Sequence, residues 1–490
     1  MSKLFVRKPL AQLLLQASDS EKGLKRTLGA YNLVALGIGA IIGAGLFVRT
    51  AAAAAQAAGP SVTLSFIVAA VGCAFAGLCY AEFAAMIPIA GSAYTYAYAT
   101  MGELVAWIIG WALIMEYALG AATVSIAWSE YLNKLLGGAI PYEWCHSPFE
   151  EGYINAPALV ILLLLTLLLI KGTQESALVN AVIVFIKVAI VLLFIALGWQ
   201  FIDPANHTPY MIPEGTPPVM NPKNPSEVLI SYDGFFKHGW GGILGGAAIV
   251  FFAFIGFDAV STAAQEAKNP KRDMPIGILG SLVVCTILYI LFAHVLTGVA
   301  PWSDFADPEK GREASVAYAV SQYMKGYEWL STAITVAILA GFSSVILVML
   351  MGQSRVFYSM SNDGLLPKVF SELHPKFRTP YKSNWILFAF VGAFAAFVPG
   401  SVAGDLTSFG TLLAFVLVSL GVLIMRYTNP EQPRPFKTPL VPVVPILGMV
   451  ICLGMIVAID VTTLAVALVW MVLGLAVYFL YSRHYSKLQA

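Results

Sequence analysis

Lys187 stands in the apolar run Val184-Phe185-Ile186-Lys187-Val188-Ala189, about ten residues from either end of a hydrophobic stretch. An ionisable group in the middle of a membrane-length stretch costs several kcal/mol, so it is a functional candidate by default. A lysine taken out of water also gives up its proton more readily. Lys187 therefore has the chemistry of a proton carrier. Two plainer readings stand beside that one: a permanently charged tie between helices, and a side chain snorkelling to an interface. Asp258 and Glu116 also fall inside apolar runs. Asp258 suits titration, gating of an inner path, or capping of a half-helix. Glu116 suits a central cavity or a hydrogen-bonded structural role. His294 reads as a core histidine, with a proton role as the alternative. Glu82 and Glu103, at the ends of runs, are expected to hold loops.

A second chemistry comes from glycine. Gly37, Gly39, Gly43 and Gly45 fall within nine residues of one apolar run, and Gly256 lies in the middle of another, two residues before Asp258. Glycine weakens a helix, and a Gly-Ala-Gly run lets the backbone unwind. A half-helix starting near Ala44 presents free N–H groups and a positive dipole end, which suit a carboxylate. A half-helix ending near Ile41 or Phe252 presents free carbonyls, which suit an ammonium. A ligand carrying both groups on one carbon, an amino acid, matches such a place. The bland alternative is that these glycines serve close helix packing.

These residues need a membrane around them, and the composition supplies the reason. Of the 490 residues 59% are apolar and 11% charged. A soluble domain carries about 25% charged residues, so this chain lacks the charge to solvate a globular surface. Net charge is +1, which starts no argument for nucleic acid or an acidic partner. Twelve apolar spans are predicted, near 29–53, 62–87, 101–133, 156–171, 177–202, 242–264, 276–300, 329–357, 384–400, 405–427, 443–459 and 462–482. Helices are the expected form, since a span must satisfy its own backbone in lipid. With the N-terminus inside, cytoplasmic segments hold 20 of the 28 Lys and Arg and external segments hold 7, Lys187 lying within a span. That bias sets the orientation, with both termini cytoplasmic. The arm before the first span, with Leu4, Phe5, Leu10, Leu13, Leu14 and Leu15 among basic residues, is expected along the interface or as a disordered tail. Asp19, Glu21, Lys22, Lys25 and Arg26 follow it without a small-residue cleavage site, unlike a signal peptide. The aromatic residues, 12% of the chain, are expected mostly at the lipid face and the interfaces.

No GxxxxGK[ST] phosphate loop, HExxH pair or Ser-His-Asp set is visible. The parts for ATP-driven pumping or obvious catalysis are missing, so no enzyme is expected. Cys73, Cys79, Cys285 and Cys452 fall in apolar runs and Cys145 in a polar loop, which is neither a disulfide framework nor a metal spacing. A bridge from Cys145 to another subunit is the alternative to a free thiol.

The run Gly39 to Phe47, with a Pro-containing turn after it, resembles the first helix of the amino acid–polyamine–organocation superfamily of transporters. Tyr80-Ala81-Glu82-Phe83 leads through Pro88 to Gly91-Ser92-Ala93-Tyr94-Thr95-Tyr96. Phe254-Ile255-Gly256-Phe257-Asp258 leads to Gln265-Glu266-Ala267-Lys268-Asn269-Pro270. Arg355-Val356-Phe357 leads to Asn362-Asp363-Gly364-Leu365-Leu366-Pro367. Together these resemble the cationic amino acid transporter branch, from about residue 25 to residue 480.

The resemblance implies an all-α integral membrane protein of twelve transmembrane helices, with a LeuT-like inverted repeat of five plus five helices and two extra. Residues 1–28 would form the arm, 29–202 the first repeat, 203–241 an external loop, 242–427 the second repeat, 428–482 the last two helices and 483–490 the tail. By position the substrate carboxylate would meet the backbone of Gly43, Ala44 and Gly45. Its ammonium would meet the carbonyls of Ile41, Phe252 and Ile255, with Ala253 beside them and Phe252 as an aromatic gate. Many relatives have Ser where Ala44 stands, so a side-chain hydroxyl is missing here. A lysine at the place of Lys187 marks proton-coupled relatives, where sodium-coupled ones bind the metal. Its ammonium would contact a carbonyl near Gly39 or Ile42 and the hydroxyls of Ser343 and Ser344.

The expected function is proton-coupled uptake of L-amino acids across the plasma membrane, with the proton as coupling ion and no other cofactor. Small neutral substrates such as alanine are favoured by Ala253, Phe252, Ile255 and Ile41. Cationic ones come second, with Glu116 or Asp258 to meet a distal charge. An exchanger of the same fold is the near rival. A channel would need more polar residues along the spans, and a receptor a signalling domain. The expected partners are the substrate and the lipid bilayer, not nucleic acid; an accessory membrane subunit leaves no mark in the sequence.

Overall fold

The computed structural model describes residues 3–18, 24–43, 45–221, 224–307, 315–398, 400–457 and 461–489. The chain is a multi-span helical membrane protein. Among the described residues, eight helices are long and apolar enough to cross a bilayer, from Gly45–Met86 to Thr463–Tyr485. Three shorter apolar helices, Ala30–Ile41, Ala156–Lys171 and Val443–Val457, accompany them. The expected first span is divided. Its first half is Ala30–Ile41, and its second half begins at Gly45 and runs by way of a turn at Gly59–Ser61 into the helix Val62–Met86. The one described sheet is a short antiparallel hairpin, Val219–Asn221 with Asn224–Ile230, in the loop before the second broken helix.

The stretches that carry the family resemblance meet one another at one end of the molecule. Glu266 and Arg355 form an ion pair of 2.8 Å with both side chains fully buried. Glu82 receives Arg426 through two nitrogens at 3.1 and 2.7 Å, and Arg434 at 3.1 Å. It also accepts the backbone N–H of Thr438 at 2.7 Å. Asp363 takes the hydroxyl of Tyr94 at 2.8 Å and the ammonium of Lys8. Glu103 accepts from the hydroxyls of Tyr98, Tyr478 and Ser486 and from the amide of Gln489. Glu82 and Glu103 thus hold loops and tail, as their positions suggested.

Both described termini dock at this same end. Lys8 N–H donates to Tyr98 at 3.1 Å, and Glu103 N–H to Val6 at 3.1 Å. Lys487 N–H donates to the Asp363 carbonyl at 3.1 Å, and its ammonium to the Asn362 carbonyl at 2.6 Å. The arm is therefore packed on the protein rather than lying free, with Leu13 buried against the core and Phe5, Leu14 and Leu15 exposed. Farther on, Thr27 and Leu28 donate their N–H groups to the Glu266 carbonyl at 2.9 Å, and Lys268 returns one to Leu28 at 2.8 Å.

The aromatic side chains divide between core and surface: Trp107, Tyr80, Tyr94, Tyr96, Tyr98, Tyr117, Tyr289 and Tyr478 are among the largest fully buried residues, while Phe185, Trp199, Trp240 and Trp329 are exposed on the protein's outside. Packed helices need bulky side chains to fill the spaces between them, and lipid offers these rings no further gain. Cys145 lies in its loop but is only 1% exposed, so its thiol is not presented to a second chain.

The Glu266–Arg355 pair sets a stability prediction. Glu266→Ala leaves a guanidinium buried without its carboxylate, which costs about 3–5 kcal/mol when one partner of such a pair is removed. Thermal unfolding of the purified variant in detergent should show a clear loss. A melting temperature equal to wild type would show the pair to be dispensable.

Candidate functional site

Two helices break side by side. The Ala30–Ile41 helix stops at Ile42, whose φ −78° and ψ 99° are extended, and helical structure resumes as a π turn at Gly45–Arg49. Ala44 lies outside the described residues. The Gly239–Phe251 helix passes through a single 3₁₀ turn, Phe252–Phe254, into an extended Ile255. Gly256 follows at φ 110°, and a 3₁₀ segment continues over Asp258–Glu266.

The breaks interlock through their glycines. A Cβ on Gly45 would lie 2.2 Å from the Cα of Ala253. A Cβ on Gly256 would lie 2.9 Å from that of Ala40, at a φ that L side chains rarely adopt. Each break thus uses a glycine to admit the backbone of the other. Between them is a cavity of about 10 Å³, lined by Ala40, Ile41, Gly43, Gly45, Val124, Phe252, Ile255, Val345 and Met349. A space of that size takes about one water, so anything larger requires the lining to part. One wall is backbone from the two breaks, and the rest is apolar side chain.

The freed backbone groups find donors on neighbouring helices. Lys187, with no exposed surface, donates to the carbonyls of Gly39 at 3.0 Å and Ile42 at 2.7 Å and to the hydroxyl of Ser344 at 2.7 Å. Ser344 in turn donates to Gly39 or Gly341, each at 2.8 Å. Three donors of one ammonium meet three acceptors, so the charge is fully satisfied. Seven residues earlier on the same helix face, Asn180 donates to the Ala35 carbonyl at 3.0 Å. Snorkelling is thereby excluded for Lys187, which is tied to the broken helix.

Tyr289 does for the second break what Lys187 does for the first. Its hydroxyl lies 2.8 Å from the carbonyls of both Ile41 and Ala253. One hydrogen serves these two acceptors, so the phenol spans the breaks. The ring is buried against Phe66 and Phe254, with centroids at 5.3 Å in each case. Phe252, half-buried, lines the cavity, and the guanidinium of Arg49 stands 5.2 Å from its ring centroid.

The pattern of the amino acid permease family matches residues 28–480. The chain belongs to that family. Its place is in the amino acid–polyamine–organocation superfamily, with the cationic amino acid transporter branch. This permease is 44% identical over 98% of both chains to the branched-chain amino acid permease BcaP of Bacillus subtilis. It is 40% identical, over the full length of both, to the methylthioribose transporter of the same species. The vacuolar cationic amino acid transporter 4 of Arabidopsis thaliana is 33% identical over 88% of this chain and 68% of its own. A permease family is not a class of enzymes.

The structure brings Ile41, Gly43, Gly45, Phe252, Ala253 and Ile255 of this permease together at the interlocked breaks. Lys187 and Ser344 join as expected, but Ser343 does not. Ser343 donates to the Leu339 carbonyl at 2.8 Å and accepts the indole N–H of Trp128 at 3.0 Å. Successive helical residues point about 100° apart, so only one of the serine pair can face Lys187. Asp258 accepts from the hydroxyl of Tyr117 at 2.7 Å and stands at the start of the segment Asp258–Glu266, beside its first backbone N–H groups. Glu116 stands beside Asp258 and Thr411, yet neither of its buried oxygens has a donor in bonding geometry. It belongs to a π turn, Met115–Leu119, away from the small cavity. His294 packs on His207 and Trp199 at 4.7 and 5.5 Å. Sequence reasoning missed Tyr289 and Asn180, because a polar residue in an apolar helix gives no hint of which carbonyl it will meet.

Removing the phenol hydroxyl tests the bridge. Tyr289→Phe leaves buried carbonyls of Ile41 and Ala253 short of a donor, a loss of about 1–3 kcal/mol. Amide hydrogen exchange around residues 41–46 and 253–257 should quicken in the purified variant. Unchanged protection would mean that the breaks stand without Tyr289.

Proposed function

We propose that this permease is a proton-coupled symporter of L-amino acids. The observation that carries the reading is the ammonium of Lys187, wholly buried and bonded to two carbonyls at the first break and to Ser344. A charge at that place links protonation to the shape of the broken helix. When protonated, Lys187 joins its own helix, Thr173–Gly198, to both Ala30–Ile41 and Trp329–Asn362. Loss of the proton leaves at most two N–H donors for three acceptors, and the first half-helix is then free to swing inward.

In this reading the substrate sits between the breaks. Its carboxylate takes the N–H groups at the start of the Gly45–Arg49 turn, with Gly43 and Ala44. Its ammonium takes the remaining lone pairs of the Ile41, Phe252 and Ile255 carbonyls, and Phe252 closes over it. Ile41, Val124, Ile255, Val345 and Met349 favour an aliphatic side chain. Once the lining parts, neutral amino acids from alanine to the branched-chain set suit it, in line with the name of the 44%-identical relative. Cationic ones come second, through Glu116 and Asp258. This acid pair is also the reserve proton site, since two carboxyl groups buried side by side repel unless one holds a proton.

The wider frame is twelve helices, five plus five inverted and two added, in the plasma membrane with both termini cytoplasmic. Matching breaks in two halves support the repeat. The docking of Lys8 and Lys487 at residues 362–363 supports termini on one side, as an even number of crossings requires. The excess of basic residues favours the cytoplasm for that side.

Uptake of radiolabelled alanine and leucine into liposomes, with and without an imposed pH gradient, tests the coupling. Lys187→Ala should lose gradient-driven accumulation while substrate binding remains measurable. Lys187→Arg should fail likewise, because a guanidinium stays protonated. Accumulation by Lys187→Ala equal to wild type would place the proton elsewhere. Uptake that appears only after preloading with amino acid would make the protein an exchanger. The binding place has its own test. Gly45→Val should abolish binding in a monodisperse protein, because the side chain meets the backbone of Ala253. Unchanged affinity would remove the breaks from substrate recognition.

A further inference from the structure

We propose that Arg49 is a positioning residue for the gate, holding the Phe252 ring closed over the cavity from the outer side. The inference rests on the proposed substrate site and on Phe252 as its lid. Phe252 is shared by two features: it lines the cavity with Gly43 and Gly45, and the Arg49 guanidinium stands 5.2 Å from its ring centroid. Arg49 closes the π turn that Gly45 opens. A π turn holds an extra residue and concentrates at functional sites. Here the turn brings its first residue against Ala253 and its last over Phe252, the adjacent residue. One five-residue stretch therefore forms part of the binding place and grips its cover.

Arg49 and Phe252 are both half-buried, unlike the buried Phe251 and Ala253 on either side of Phe252 in the chain. The contact sits at the margin of the core, where the ring can turn without unpacking its neighbours. Turning it away from the cavity separates the ring face from the guanidinium. A contact of this kind biases such a balance by about twofold when exposed and about thirtyfold when desolvated. Arg49 thus favours the closed gate and slows escape of a bound substrate toward the outside. A lysine keeps the charge but offers no plane to lie on the ring, so it should serve less well.

Binding and initial uptake of radiolabelled alanine and leucine in proteoliposomes provide the test. Arg49→Gln should weaken binding by about 2- to 30-fold without lowering maximal uptake, and Arg49→Lys should recover part of the loss. In a Phe252→Leu background, Arg49→Gln should have no further effect. Arg49→Leu, which keeps an apolar stem, carries the same test if the Gln variant does not fold. Wild-type affinity in Arg49→Gln, or an equal loss in both backgrounds, overturns the role of Arg49. Wild-type affinity in Phe252→Leu itself overturns the gate and this inference with it. Weakened binding in Phe252→Leu with none in Arg49→Gln removes Arg49 alone.

Discussion

A single buried ammonium constrains this molecule more than any other group. Lys187 sits where water does not reach, and each of its three hydrogens must find an acceptor. A carbonyl inside an intact helix already serves one N–H of that helix and offers only its second lone pair. A broken helix leaves carbonyls with no such N–H to serve. The carbonyls of Gly39 and Ile42 are free to turn toward Lys187 because the Ala30–Ile41 helix stops there. The lysine and the break therefore need one another: without the break the charge has too few partners, and without the charge the break has unsatisfied backbone.

The same accounting extends to the second broken helix. Its carbonyl at Ala253 shares the Tyr289 hydroxyl with Ile41 of the first. Gly45 and Gly256 let the two unwound segments come close enough for one phenol to reach both. The centre of the permease is thus a patch of irregular backbone held by side chains from the helices Thr173–Gly198, Pro270–Val299 and Trp329–Asn362. Irregular backbone is tolerated at membrane depth only where protein buries it or it lines a cavity. Here it is both buried and beside the small cavity.

The end of the molecule where both termini dock is built differently. Glu82, Glu103, Glu266 and Asp363 each gather donors from distant parts of the chain, including the arm and the tail. Those contacts are charged, direct and mostly buried, so breaking one exposes an uncompensated ion. The centre relies instead on carbonyls, hydroxyls and one ammonium, any of which can exchange one partner for another. The two regions meet at Leu28 and Glu266, where the entry to the first broken helix pairs with the exit of the second. A movement of either half-helix must be felt at that pairing, which lies beside the buried Arg355.

Much of this was legible in residue order. Composition requires lipid, because so few charges cannot solvate the surface. The glycines of the first run and Gly256 mark where helices can fail, because glycine weakens a helix wherever it stands in one. Lys187 declares itself by its cost. The four motifs name the branch of the family, but not that their acids and bases would pair with one another across 89 positions, as Glu266 and Arg355 do. Pairing is the work of tertiary structure. Helix packing chose Ser344 over Ser343 by rotation alone, set Tyr289 between two carbonyls, and decided which aromatics fill the core. A sequence fixes which groups must be satisfied, since desolvation depends on residue type. Which partner satisfies each is settled by the distance and angle between helices, and no spacing along a single helix contains them.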